Sequence, residues 1–138
     1  MTRALVVEDD PLFARVVSDV LSMNGLMTST AHSAVEALSL ARRDAYDLAL
    51  VDIALPGPMD GVDVVRELRS GNSAIALILM TGRASGERIQ DGIRSGAYTC
   101  VLKPCDLDDL LAVVRRVLDD RARVCQQERR GAGSCSPA

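Results

Sequence analysis

A chain of 138 residues has the length of one domain and can bury a hydrophobic core without disulfides or metals. Hydrophobic residues make up 48% of it, but tryptophan is absent and phenylalanine occurs once, so we expect an aliphatic core. The net charge of −3 gives the chain as a whole no electrostatic signal for nucleic-acid binding. No apolar run approaches the roughly 20 residues that span a bilayer, so we expect no membrane insertion.

The cysteines and the N-terminus predict a cytoplasmic protein. The four cysteines contain no CxxC pair, and we expect reduced thiols rather than disulfides. The single histidine, His32, leaves no ligand pair spaced for zinc. A strand-like run begins almost directly after Met1, which leaves no room for a targeting segment.

Short apolar runs alternate with helical patterns along the chain. In chain order we predict a strand at 4–7, a helix from 10 to about 24, a strand at 27–31, a helix opening at 33, a strand at 48–51, a helix at about 61–70, a strand at 76–80, a helix at about 85–95, a strand at 99–102 and a helix from 106 to about 127. Strands alternating with helices predict a parallel sheet with helices on both faces. The second run is the most polar of the five and fits an edge strand.

Capping residues mark the starts of the predicted helices. Asp10 precedes Pro11, as expected where an N-cap is followed by proline at the first helical position. Ser33 and Glu36 have the spacing of a capping box, and Asp106 is a further candidate N-cap. The fourth helix is the weakest prediction, because it contains two glycines.

Polar side chains follow four of the five predicted strands. They are Glu8, Asp9 and Asp10 after the first run, Asp52 after the third, Thr81 after the fourth and Lys103 after the fifth. In parallel sheets of this kind, ligands bind outside the carboxyl ends of the strands. Lys103 is the only lysine among 16 basic residues, and its place at a strand end suits a compact point charge better than a planar guanidinium.

The acids after the first strand are candidate metal ligands. Carboxylates that converge on one cleft repel one another unless a cation joins them. Oxygen ligands of this kind suit Mg²⁺, which takes one or two carboxylates together with a phosphate. We interpret Asp10 as a helix cap and retain Glu8 and Asp9 as the metal candidates.

Asp52 is the candidate nucleophile, because a carboxylate can accept a phosphoryl group to form an acyl phosphate. The Lys103 ammonium and the Thr81 hydroxyl would stabilise the oxygens of the transferring group. Thr81 also fits a second interpretation, a helix cap or turn residue before Gly82.

Together these motifs resemble the receiver domain of two-component response regulators over residues 3 to about 118. The matching segments are Val6-Val7-Glu8-Asp9-Asp10, Leu50-Val51-Asp52-Ile53-Ala54-Leu55-Pro56-Gly57, Met59-Asp60-Gly61, Leu79-Met80-Thr81-Gly82 and Leu102-Lys103-Pro104. The resemblance implies an α/β fold: a doubly wound five-stranded parallel sheet of order 2-1-3-4-5 in a flavodoxin-like three-layer α/β/α arrangement.

The resemblance also implies a role for each strand-end residue. It makes Asp52 the phosphoacceptor, with Thr81 and Lys103 contacting the phosphoryl group. The Mg²⁺ ligands that it implies are Glu8, Asp9, Asp52 and the backbone carbonyl of Ala54.

Three positions depart from the family pattern. The loop at 57–61 is one residue longer than usual, which would change the shape of the mouth beside Asp52. Cys100 stands where the family usually has an aromatic switch residue, and Cys105 replaces a common phenylalanine. We therefore expect the fourth helix to be the element that switches, and partners to contact the face made by the fourth helix, fifth strand and fifth helix.

Other classes of protein share this layout. A flavodoxin-like electron carrier needs a hydroxyl- and glycine-rich phosphate loop after the first strand, where this chain has acids. An aspartate-nucleophile phosphatase needs a second acid two residues after the nucleophile, where this chain has Ala54. The stronger rival is a receiver-like docking module that works without phosphorylation. Against it, this chain has every residue type that phosphorylation requires: Glu8, Asp9, Asp52, Thr81 and Lys103.

We expect residues 1–120 to form the receiver domain and residues 121–138 a polar tail, partly helical and then disordered. Because this sequence contains no output domain, we expect a stand-alone regulator that acts by protein contact without binding nucleic acid directly. The sequence leaves its oligomeric state open, a weak dimer included. The implied phosphodonor is a sensor histidine kinase or a histidine phosphotransfer protein. Such a phosphoacceptor catalyses its own phosphorylation and dephosphorylation and is not a turnover enzyme.

Overall fold

A computed structural model describes residues 2–82 and 84–131. Its centre is a sheet of five parallel strands in the order β2-β1-β3-β4-β5. The strands are β1 (Arg3–Val7), β2 (Met27–Ala31), β3 (Leu48–Asp52), β4 (Ala76–Thr81) and β5 (Thr99–Leu102). The predicted order is confirmed, and the polar second run is the edge strand β2.

Five helices cover the two faces of this sheet. They are α1 (Pro11–Met23), α2 (Ala34–Arg43), α3 (Gly61–Gly71), α4 (Gly86–Arg94) and α5 (Leu107–Gly131). Helices α2, α3 and α4 pack on one face, and α1 and α5 pack on the other. The predicted three-layer flavodoxin-like arrangement is confirmed.

Alternate strand residues supply the two cores. Leu5 and Val7 of β1 point into the core under α2 and α3, whereas Ala4 and Val6 point into the core under α1 and α5. All residues of β3 and β4 are buried, since these strands have a helix layer on both sides. Burying each large aliphatic side chain stabilises the fold by about 1.5–3 kcal/mol, and the core is aliphatic as the composition predicts.

Local capping fixes where the helices begin. The Asp10 carboxylate accepts hydrogen bonds from the backbone N–H groups of Leu12 and Phe13, so its predicted capping role is confirmed. Ser33 accepts from the N–H of Glu36. The Glu36 carboxylate, however, accepts from the N–H of His32 rather than closing the predicted box on Ser33.

Two glycines let helices approach the strands closely. A Cβ on Gly61 would lie 2.1 Å from the carbonyl oxygen of Asp52, and a Cβ on Gly92 would lie 2.2 Å from a methyl carbon of Leu79. Any side chain at Gly61 would therefore push α3 away from the end of β3. Gly92 lowers the helix propensity of α4, but a glycine is needed there because α4 packs against β4 at this position.

Helix α5 extends four residues beyond its predicted end near 127, to Gly131. Arg121, the first residue of the predicted tail, donates hydrogen bonds to the carbonyl oxygen of Ala74 at 2.6 Å and to Asp47 at 3.1 Å. The start of the predicted tail is thus attached to the domain. The disorder predicted for the end of the chain concerns residues 132–138, which lie outside the described residues. Within the described ranges, no helix has the length and apolar character needed to cross a bilayer.

Candidate functional site

The parallel strands bring the polar residues that follow them to one edge of the sheet. Val7 of β1 pairs with Val51 of β3, so Glu8 and Asp52 occupy neighbouring positions one residue further on. Asp52 pairs in turn with Met80 of β4. Thr81 and Lys103 sit at the ends of β4 and β5, where the backbone N–H of Lys103 donates to the carbonyl of Thr81 at 2.7 Å.

Three carboxylates form an acidic cluster at this edge. One oxygen from each of Glu8, Asp9 and Asp52 lies within 4.8 Å of the others. Glu8 and Asp52 are 1% and 5% exposed, whereas Asp9 is exposed. Burial is the main reason why the pKa of Glu8 rises to about 7, despite the lowering effect of its hydrogen bond with Lys103.

The cluster fits a hard divalent cation. Its donors are all oxygens, they lie close enough to share one ion, and burial keeps the pKa of Glu8 raised even beside Lys103. The backbone N–H of Ala54 donates to Asp52 Oδ1 at 3.0 Å, which places the Ala54 backbone beside the cluster. The three carboxylates of the cluster are among the Mg²⁺ ligands that the family resemblance implies.

Lys103 is the cation of the site. Its ammonium donates to Asp52 Oδ2 at 2.8 Å and to Glu8 Oε1. Burial acts to lower the pKa of Lys103, but the hydrogen bonds to the two carboxylates outweigh it and the net shift is upward. Lys103 is followed by a cis peptide bond to Pro104. The ammonium also lies 4.6 Å from the centroid of the Phe13 ring. Local sequence patterns do not indicate this contact, because Phe13 belongs to α1 and Lys103 follows β5.

Thr81 lies at the end of β4 and is 1% exposed. Its Oγ1 accepts a hydrogen bond from the N–H of Ala84 at 2.8 Å. The N-cap of α4 is Ser85, which accepts from the N–H of Arg88. Of the two structural interpretations of Thr81, the structure therefore supports the turn residue and not the helix cap. This hydrogen bond joins Thr81 to the loop that leads into α4.

A second charged cluster, which the sequence did not suggest, lies beside the first. Asp60 is the N-cap of α3 and forms a capping box with Asp63. Arg88 of α4 donates two hydrogen bonds to the Asp60 carboxylate, from Nε and Nη2, each at 2.7 Å. Its guanidinium also reaches Asp63 and Asp91 at 3.5 Å. The sequence signal was weak, because Asp60 and Arg88 are 28 residues apart.

Cys100 occupies the position in β5 where the family usually has an aromatic switch residue. Cys100 pairs with Leu79 in the sheet and packs, half-buried, against the core under α2 and α3. Burial raises the pKa of its thiol. Tyr98 precedes β5, is 49% exposed and donates its hydroxyl to Asp120 of α5. The Tyr98 ring is thus held at the surface of α5.

Comparisons with known proteins agree with this geometry. The family model of the response regulator receiver domain matches residues 4–115. Regulatory protein AtoC of Escherichia coli (strain K12) is 36% identical over 118 residues, which are 86% of this chain and 25% of AtoC. The uncharacterized transcriptional regulatory protein YkoG of Bacillus subtilis (strain 168) is 37% identical over 114 residues, 83% of this chain and 50% of YkoG.

A solved structure shares the fold over nearly its whole length. The CheY-like response regulator receiver domain protein from Methanospirillum hungatei JF-1 superposes with a TM-score of 0.86 at 28% identity, covering 89% of this chain and 98% of that one. The chain belongs to the receiver domain family of two-component response regulators, and so to a family that works in signal transduction. It spans between a quarter and a half of the length of the two curated relatives.

Proposed function

We propose that Asp52 accepts a phosphoryl group from a phosphohistidine of a sensor histidine kinase or histidine phosphotransfer protein. The observation that supports this most directly is the contact between the buried Asp52 carboxylate and the Lys103 ammonium, at 2.8 Å, inside an acidic cluster. An ordinary buried ion pair would not need two further acids within reach. Family membership adds to the proposal, since phosphoacceptance is general to receiver domains.

The proposed transfer is a displacement at phosphorus. A carboxylate oxygen of Asp52 forms the new P–O bond as the P–N bond to the donor histidine breaks, and the leaving imidazole keeps the electron pair and takes up a proton. The Lys103 ammonium and the Thr81 hydroxyl would donate to the oxygens of the transferred group, where negative charge accumulates. The Ala54 N–H, already aimed at Asp52, would supply a third donor.

Glu8, Asp9, Asp52 and the Ala54 carbonyl would hold Mg²⁺. When bound, the ion would neutralise charge on the phosphoryl oxygens and relieve the repulsion among the carboxylates. In the reverse sense, water would attack the phosphorus of the acyl phosphate, the bond between phosphorus and the Asp52 oxygen would break, and inorganic phosphate would leave with the carboxylate restored. The protein would thus switch itself off rather than turn over a substrate.

We propose that the phosphorylated protein acts by contact with another protein in the cytoplasm. Thr81 is the link to the output surface, because its hydroxyl already holds the N–H of Ala84 in the loop before α4. Moving this hydroxyl toward a phosphoryl group would release that loop and shift α4. The two curated relatives are named as a regulatory protein and a transcriptional regulatory protein, and this chain aligns with only part of each, so we propose no contact with DNA for the described domain.

Phosphorylation with a small phosphodonor and Mg²⁺ tests the assignment. Wild-type protein should gain the mass of one phosphoryl group in a base-labile form, and Asp52→Asn should not. Asp44→Asn, at the opposite edge of the sheet in the turn before β3, is the matched control and should label normally. Equal labelling of Asp52→Asn would remove Asp52 as the acceptor. A phosphorylation-independent docking module would instead bind its partner equally well with and without the phosphoryl group.

A further inference from the structure

The only phenylalanine and the only lysine of this chain lie in contact. The Lys103 ammonium is 4.6 Å from the centroid of the Phe13 ring, within the roughly 6 Å over which a cation is attracted to an aromatic face. Phe13 is in the first turn of α1, where its N–H is held by the Asp10 cap. Its side chain is half-buried against the core under α1 and α5, so the ring has a fixed place below the ammonium.

The other two contacts of this ammonium are with groups that change during the proposed reaction. Glu8 is a proposed metal ligand, and Asp52 is the proposed acceptor that becomes an acyl phosphate. When both carboxylates bind new partners, their hydrogen bonds with the Lys103 ammonium weaken. Of the three contacts, only the Phe13 ring is chemically unchanged before and after transfer.

We propose that Phe13 is a positioning residue for Lys103, and that its ring keeps the ammonium at the strand edge while the two carboxylates bind the metal and the phosphoryl group. This inference rests on the proposed role of Asp52. Without the ring, the flexible four-carbon stem of Lys103 could carry the ammonium toward solvent, to which its side chain is already 22% exposed. The ring thus supplies an attraction that does not compete with the reacting oxygens for hydrogen bonds.

Three variants separate this role from simple core filling. Phe13→Leu keeps an apolar side chain but removes the aromatic face, and should slow labelling by a small phosphodonor about threefold to tenfold. Phe13→Tyr keeps the face and should stay within about twofold of wild type. Leu12→Ala, at a neighbouring side chain that is 72% exposed, is the control and should label at the wild-type rate. If Phe13→Leu does not melt cooperatively, Phe13→Met, a flexible apolar filler, takes its place.

The single lysine allows a readout that does not depend on phosphorylation. Lysine-labelled protein gives one side-chain NMR signal, and the methylene protons next to the Lys103 nitrogen should be shielded by the ring current of Phe13. The shielding should be retained in Phe13→Tyr and lost in Phe13→Leu at the same pH. A wild-type labelling rate in Phe13→Leu, an unchanged lysine signal, or a failure of tyrosine to preserve both properties would overturn the proposal. If Asp52→Asn labels like wild type, the proposed acceptor fails, whereas the lysine signal still reports on the ring contact.

Discussion

Two clusters in this protein each hold one cation among carboxylates, and they differ in how strongly the cation stabilises the charged form of its partner carboxylate. In the strand-end cluster, Lys103 faces Glu8 and Asp52, which are nearly inaccessible to solvent. In the helix-start cluster, Arg88 joins Asp60 in two hydrogen bonds of 2.7 Å, with both side chains about one-third exposed. One cation is a point charge in a buried site, and the other is a planar group matched to its partner.

The pKa values of the two clusters move in opposite directions. Burial raises the pKa of Glu8 to about 7. Burial acts in the same sense on Asp60, but the hydrogen bonds from Arg88 and from the backbone of Asp63 leave its pKa lowered. The first cluster therefore still favours an added cation, which is what a metal and phosphoryl site requires. In the second cluster, the hydrogen bonds from Arg88 favour the charged form of Asp60, and they join α3 to α4.

Removing one acid of the strand-end cluster should have the largest effect. Asp9→Asn should lower Mg²⁺-dependent labelling by about 100-fold or more, because the ion loses a charged ligand. The same variant should unfold at a slightly higher temperature without Mg²⁺, since repulsion among the carboxylates is relieved.

Asp10→Asn is the matched control for this experiment. Asparagine caps helices as well as aspartate does, so this variant removes a neighbouring charge and keeps the cap of α1. It should label normally. A normal rate in Asp9→Asn, measured by mass spectrometry of the phosphorylated protein, would exclude Asp9 as a metal ligand.

The pH dependence of stability should have opposite signs in the two clusters. Folding raises the pKa of Glu8 from 4.5 to about 7, so between these values the folded protein keeps a proton that the unfolded chain releases. The free energy of unfolding should fall as pH rises through this window, by up to about 3 kcal/mol. For Asp60, whose pKa is lowered from 3.8, the stabilisation is present above that value and is lost as pH falls toward the folded pKa.

Urea unfolding without Mg²⁺ at a series of pH values can separate the two contributions. Glu8→Gln should flatten the curve between pH 4.5 and 7, and Asp60→Asn should flatten it below about 4. A Glu8→Gln protein with the same slope as wild type between pH 4.5 and 7 would contradict the electrostatic description of the strand-end cluster.

Replacing each cation by the other type tests whether the two clusters need different cations. Lys103→Arg should fold, but its coupling of phosphorylation to partner binding should weaken about tenfold, because a guanidinium plane replaces a point charge in a confined site. Arg88→Lys should label normally and lose about 0.5–1 kcal/mol of stability, because lysine cannot make the two parallel hydrogen bonds to Asp60.

Amide hydrogen exchange over residues 84–95 tests whether α4 responds to these changes. Arg88→Lys should raise exchange there before phosphorylation, since α4 loses its attachment to α3. Wild-type protein with a phosphoryl mimic should show a change in the same segment. A change confined to other segments would show that the signal leaves the site without passing through α4, and full coupling in Lys103→Arg would show that the site accepts either cation.

Shortening α5 should have the smallest effect, because the described contacts of residues 121–124 involve neither cluster. A protein ending at Val124 should match the full chain in labelling and stability. A protein ending at Asp120 also loses the bonds from Arg121 to Ala74 and Asp47 and should be less stable by about 1 kcal/mol, with unchanged labelling. Loss of labelling in either protein would mean that the end of α5 supports the strand-end edge.

Sequence patterns of short range were sufficient for the elements of the fold. Apolar runs marked all five strands, and Asp10 and Ser33 marked the starts of α1 and α2, because a cap and its partner lie within three residues of each other. Where the capping-box pattern failed, a neighbouring donor was the reason. The Glu36 carboxylate accepts from the N–H of His32, one residue before the expected partner Ser33. Residue spacing alone cannot distinguish these two donors.

By itself, the sequence determined the alternation of strands and helices, and it placed Glu8, Asp52, Thr81 and Lys103 at strand ends, since burial and capping act between near neighbours. Which of these groups are in contact depends on the packing of the whole domain. The bond between Lys103 and Glu8 spans 95 residues, and the one between Arg88 and Asp60 spans 28. The raised pKa of Glu8, the turn role of Thr81 and the ring of Phe13 below the ammonium all depend on burial and distance, which exist only after the sheet has brought its strand ends to one edge.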